Sequence, residues 1–153
     1  MPDDTTTGSP FIKAAPLRLL YRDWNARRAG RGIPARADFD PLELGYILGN
    51  LSLIDVLRDP LRFVFRLHAS NNALRLGADL TGKELADMPA AAEPERVRAH
   101  YELVVRTRKP QVQRRGGTLA SGLTWEFEVL VLPLAADGET VDMLMAGMAW
   151  TAR

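Results

Sequence analysis

The stretch from Gln111 to Trp150 constrains the fold most, because it reads as three consecutive antiparallel strands. In its middle segment, 123–133, Trp125, Phe127, Val129 and Val131 fall on one side and Thr124, Glu126 and Glu128 on the other. That is the period-two alternation of a half-buried strand. The last segment, 141–150, turns Val141, Met143, Met145, Gly147 and Ala149 one way and leaves Met148 on the other side, facing solvent. A meander with an aromatic, Met-lined face must cover that face, and helices earlier in the chain are the available cover. Glu126 and Glu128 are expected to keep the opposite face polar, or to meet Arg62 and Arg66 there.

Before the meander the pattern is mixed. From Pro16 the residues Leu17, Leu20, Tyr21, Trp24 and Arg28 recur at helical spacing, and Gly30 and Gly32 close the segment. Such a helix either docks on its own domain or pairs with a copy of itself. Asp40 is placed to cap a short helix with Pro41 at its first position, while Asp38 caps or pairs with Arg36. Two strands follow, 51–57 and 62–68, joined by a tight turn. Alternation puts Phe63, Phe65 and Leu67 inward, and Arg62, Arg66 and His68 outward. Short helical pieces fill 70–92. A second clear helix, 94–108, carries the stripe Val97, Tyr101, Val104 and Val105. Gly116 with Gly117, and Ser121 with Gly122, fit hairpin turns.

Composition removes several classes. With 20 Lys and Arg against 19 Asp and Glu, the net charge is +1, which gives no electrostatic case for a nucleic-acid partner. The cluster Arg106, Arg108, Lys109, Arg114 and Arg115 reads as a solvated helix end. With no cysteine there is no disulfide, thiolate metal site or cysteine nucleophile. No apolar run approaches the roughly 20 residues of a membrane span, and the acidic start is no secretory signal. A cytoplasmic location is expected. The chain divides into a disordered leader (1–10), an N-terminal helix (11–32) and a main domain (33–153).

The order helix, two strands, short helices, longer helix, three strands resembles the PAS fold. The residues that carry the likeness are Leu20-Tyr-Arg-Asp-Trp24, Ile33 to Pro41, Leu53-Ile-Asp-Val56, Phe63-x-Phe-Arg-Leu67, Leu80-Thr-Gly82, Lys109-Pro110, and Leu132-Pro-Leu-x-x-Asp-Gly138. More narrowly the chain is similar to compact, often stand-alone bacterial PAS-like proteins. The resemblance implies an α+β fold: a five-stranded antiparallel sheet with helices on one face and a leading N-terminal helix. It implies a sensory or protein-interaction module that dimerises through that helix, at Leu17, Leu20, Tyr21 and Trp24. Many relatives hold haem, flavin or a small metabolite between sheet and helices, though no cofactor is general to the narrower group. One departure is Ala69-Ser-Asn-Asn-Ala73, where Asn71 and Asn72 either cap the next helix, the favoured reading, or line a polar pocket.

The candidate ligand site is the space between Phe65, Leu67, Tyr101, Val104, Trp125, Phe127 and Met145, with Asn71 and Asn72 at its edge. Whether that space is an occupied pocket or a filled core stays open, since aromatic stripes more often form core. His100, beside the long helix's apolar stripe, is a haem ligand only on the resemblance. A histidine there is more commonly a boundary residue bonded to backbone or solvent. A photoactive flavin adduct needs the cysteine this chain lacks. Phosphate loops, nucleophile elbows and paired-histidine metal motifs are absent. The expectation is therefore a non-catalytic, homodimeric sensory or interaction module signalling through an unidentified partner protein. The rival is a small cone-shaped α+β isomerase or hydratase, for which Asp55 or His100 would have to point inward as acid–base residue.

Overall fold

The structure is a computed structural model that describes residues 10–28, 30, 32–118, 122 and 124–152. Apart from Pro10, the expected leader lies outside the described residues. Helix α1 spans Ala15–Arg28, strand β1 Leu51–Leu57 and β2 Arg62–Leu67. Helices α2, Ser70–Leu76, and α3, Pro94–Thr107, precede β3 (Gln111–Thr118), β4 (Thr124–Leu134) and β5 (Met143–Ala152). Single 3-10 turns occupy the connections, including Pro41–Leu44, where Asp40 accepts the Leu42 N–H at 3.0 Å as expected of a cap.

The expected α+β architecture is present. All five strands pair antiparallel in the order β2-β1-β5-β4-β3. Side chains from α3, Leu80 and Leu85 pack on one face against Ile54, Phe63, Phe65, Val129, Val131 and Leu144. The leading helix and the 39–47 segment cover the other, on Leu53, Leu130, Leu132, Met143 and Met145.

Register decides which face each side chain takes, because cross-strand partners share a face. Leu132 pairs with Met145 and Val129 with Met148. Met145 is thus on the α1 face with Leu132, opposite Phe127, and Met148 packs against the α3-side core instead of facing solvent. The expectation for both methionines is corrected by one step of register. A second correction lies at the end of β2. Leu53 pairs with Leu67 but Ile54 with Phe65, so the ladder skips a residue and the alternation is reset. Leu67 is 42% exposed and His68 only 7%, the reverse of the expected arrangement. Gly116 and Gly117 are also not a turn: they continue β3, opposite Glu126 and Trp125.

Glu128 differs most from its expected place. It is buried under the start of α1, where its two oxygens accept the Lys13 and Ala14 N–H groups at 2.9 and 2.8 Å. Arg114 completes the arrangement at 2.6 Å. A carboxylate placed just ahead of a helix satisfies otherwise orphaned donors and favours the positive end of the helix dipole. Strand order keeps it away from Arg62 and Arg66, which pair with Glu84 and Asp55.

Candidate functional site

Helix α2 is short and held at both ends. Ser52 Oγ accepts the Ala69 N–H at 3.0 Å, and the helix closes at Gly77, whose φ of +81° suits glycine. Ala69 occupies the cap position without a side-chain bond, so neither asparagine caps the helix. Their amides make tertiary contacts instead. Asn72 is buried, and its Oδ1 accepts the Trp150 indole N–H at 3.2 Å. Asn71 donates to Asn50 Oδ1 at 2.9 Å. Gly49 leaves room for that approach, since a Cβ there would sit 2.8 Å from Asn71 Nδ2.

Asn71, Leu74 and Arg75 share one helix face by their i, i+3 and i+4 spacing. With Asn50 and Trp150 they line an open groove of about 540 Å³ between α2 and the end of β5. The Arg75 guanidinium carbon lies 4.5 Å from the centre of the Trp150 ring. Trp150 meets Phe127 at 4.6 Å with the ring planes 34° apart, and Arg115 covers Phe127 at 5.4 Å. Two arginines therefore bracket two aromatic rings, an arrangement favoured by the negative ring faces. Neither guanidinium forms an ion pair with a carboxylate among the described residues, and Arg115 Nη1 is buried without a partner. Desolvation is the main cause that lowers the Arg115 pKa.

The expected pocket separates into parts. Phe65, Tyr101 and Val104 do come together on the α3 side, with Phe127 at their margin. There they fill the interior: Phe63 meets Tyr101 edge-on at 5.5 Å. Burial raises the Tyr101 pKa well above its ordinary value. Leu67 has turned out and Met145 lies on the other face. The side chain of Trp125 lies outside the described residues. Of the expected dimer residues, Leu17, Leu20 and Trp24 are buried against their own sheet, and Tyr21 is half-buried. Arg75, Trp150 and Asn50 were not among the expected site residues. The available signal was helical spacing from Asn71 to Arg75, and only the fold brings Trp150 beside them.

His100 is wholly buried, not a boundary residue. Its Nε2 lies 3.0 Å from the Gln111 carbonyl oxygen, and Nδ1 is enclosed without a partner. Burial, helped by the nearby Arg115 charge, pushes its pKa down to about 4. These residues do not fit a haem: one ring nitrogen is engaged by backbone, and side chains fill the adjoining interior. His68 accepts the Leu80 N–H on Nδ1 at 3.1 Å, and burial lowers its pKa too. Asp55 is bound through both oxygens by Arg66 Nε, at 3.0 and 3.1 Å. Among the described residues no group of three or more His, Asp or Glu is placed to hold a metal, and no helix is long and apolar enough to cross a membrane.

The sequence profile of the PAS domain matches residues 12–149, so the match takes in both sheet faces, α1 and all of the α2 groove but Trp150. The chain belongs to the PAS domain family. Among solved structures it is similar to a light-oxygen-voltage domain studied with a flavin analogue. There the identity is 13% and the TM-score 0.46, over 67% of this chain and 76% of that one. It is also similar to a fungal light-oxygen-voltage photoreceptor, at 18% identity and a TM-score of 0.43 over 90% and 92% of the two chains. Likeness at this level carries no argument about ligand or mechanism. Comparison with curated proteins gives no sequence match.

Proposed function

We propose that this chain is a non-catalytic sensory module of PAS type that works as a homodimer, binds a small ligand and passes its state to a partner protein. The PAS match over residues 12–149 carries the sensory reading. The ligand reading is supported by the groove at Asn50, Asn71, Leu74, Arg75 and Trp150, because the interior between α3 and the sheet is filled by side chains. For the dimer we assign the outward side of α1, where Leu19 is 40% exposed beside the half-buried Tyr21, since Leu17, Leu20 and Trp24 are used within the chain. No observation favours the isomerase or hydratase reading. Asp55 is ion-paired and His100 is enclosed and bonded to backbone, so neither is offered to a cavity.

Native mass spectrometry on freshly purified protein, beside its denatured mass, tests this proposal. A dimer with a reproducible added mass is expected, and Leu19→Glu should give monomer that keeps the added mass. A bare monomer at working concentrations would sink both the dimer and the ligand.

A further inference from the structure

We propose that the groove between α2 and β5 is a receptor for a small organic oxoanion, a carboxylate or phosphate, anchored by the Arg75 guanidinium. The inference rests on the reading of the chain as a ligand-binding sensor and names the ligand class of that groove. Five arginines pair with an acid: Arg27 with Glu43, Arg62 with Glu84, Arg66 with Asp55, Arg96 with Glu93 and Arg114 with Glu128, while Arg18, Arg36 and Arg58 donate to backbone carbonyls. Arg75 differs. Its guanidinium carbon lies over the Trp150 ring, 4.5 Å from the ring centre, yet no acceptor among the described residues meets its N–H groups. Stacking restricts the head of a normally flexible side chain while leaving its fork of donors available. A fork of that shape suits bidentate capture of a carboxylate or phosphate.

The other lining groups agree. Asn50, Asn71, Leu74 and Trp150 are all neutral, so among the described residues no lining carboxylate competes for the guanidinium. The Asn71-to-Asn50 hydrogen bond leaves Asn50 Nδ2 as a further donor and Asn71 Oδ1 as an acceptor for a ligand hydroxyl. Leu74, 80% exposed at the rim, offers an apolar wall to a short carbon body. The open volume of about 540 Å³ suits a small metabolite. An anion on Arg75 adds a charge to the Arg75–Trp150–Phe127–Arg115 stack and is felt at the indole N–H held by Asn72.

The test is an NMR titration of the full-length isotope-labelled chain with inorganic phosphate and, separately, benzoate, at constant ionic strength set by sodium chloride. Saturable shifts are expected at the Trp150 indole N–H and at residues 49–51 and 71–76. Arg75→Gln should weaken binding at least tenfold with an otherwise unchanged spectrum, Arg75→Lys less, and Arg22→Gln, which removes an exposed charge elsewhere, not at all. Saturation by phosphate alone identifies a phosphorylated ligand, and by benzoate alone a carboxylate. Equal binding by Arg75→Gln, or shifts that never saturate, would overturn the proposal. Native mass spectra of wild type and Arg75→Gln separate the two failures. A co-purified mass that persists in the variant sinks the anion assignment and leaves the ligand reading standing. No added mass and no saturable shift sink both.

Discussion

At the scale of single residues, the two histidines were read from parity and chemistry, and both ended inside the protein. His68 is buried because the ladder skips a residue between the Leu53 and Ile54 pairs, and such a skip leaves no trace in an alternating sequence. His100 was expected at a boundary, bonded to backbone or solvent; it bonds backbone but is wholly buried, a depth that depends on how closely α3 lies on β3. Its pKa of about 4 has a thermodynamic consequence. The unfolded chain protonates this histidine near its ordinary value of 6.5, whereas the folded chain resists until about pH 4. The contribution to stability is therefore complete above pH 6.5 and is lost as the pH falls towards 4, by up to about 3 kcal/mol. His68, lowered by burial, acts in the same direction. His100→Gln keeps a donor for the Gln111 carbonyl and removes the titration. Urea midpoints followed from pH 7.5 to 4.5 should fall less steeply in the variant. Parallel curves would show that His100 does not carry the effect.

At the scale of elements, the helices were legible because periodicity, prolines and glycines mark them: α3 was expected over 94–108 and spans Pro94–Thr107. How α1 docks was less legible. The sequence offered two uses for its apolar stripe, and the sheet settled the matter through Gly147, where a Cβ would lie 2.8 Å from Leu20 and 3.0 Å from Leu17. Trp24 reinforces the contact by donating to the Pro133 carbonyl at 2.8 Å. The other fastening is Glu128, whose pattern in sequence was that of an ordinary outward strand residue. Glu128→Gln places an amide N–H against one of the two backbone donors of Lys13 and Ala14, leaving a buried donor unsatisfied. We expect a loss of about 1–3 kcal/mol. Hydrogen exchange should show the loss concentrated in 17–28, with β1 and β5 keeping their protection. Uniform loosening would mean that Glu128 serves the sheet and not the helix latch.

At the scale of the whole molecule, the division into an 11–32 helix and a 33–153 domain understates how much the two share. The β2-β1-β5-β4-β3 order puts the long, apolar β4 and β5 beside one another, with β5 at the centre of the sheet, and both of its faces demand cover. One is supplied by α3 and the segments before it, the other by α1 with Phe39, Leu44 and Ile47. This two-sided burial also limited what the sequence could say of the site. The groove is assembled from Asn50, Asn71, Arg75 and Trp150, residues brought together only by the pairing of β1 with β5 and the seat of α2. Removing residues 1–32 would strip α1 from β4 and β5 and bare Leu130, Leu132 and Met145, an apolar face of the kind that drives self-association. We expect the 33–153 fragment to sediment as large, dye-binding assemblies under conditions where the full chain gives a discrete species. Adding a synthetic peptide of residues 10–30 should restore the discrete species if the helix acts by covering the sheet. A fragment that stays monomeric and unfolds cooperatively would instead make α1 an appendage, and its burial on Gly147 incidental to the stability of the sheet.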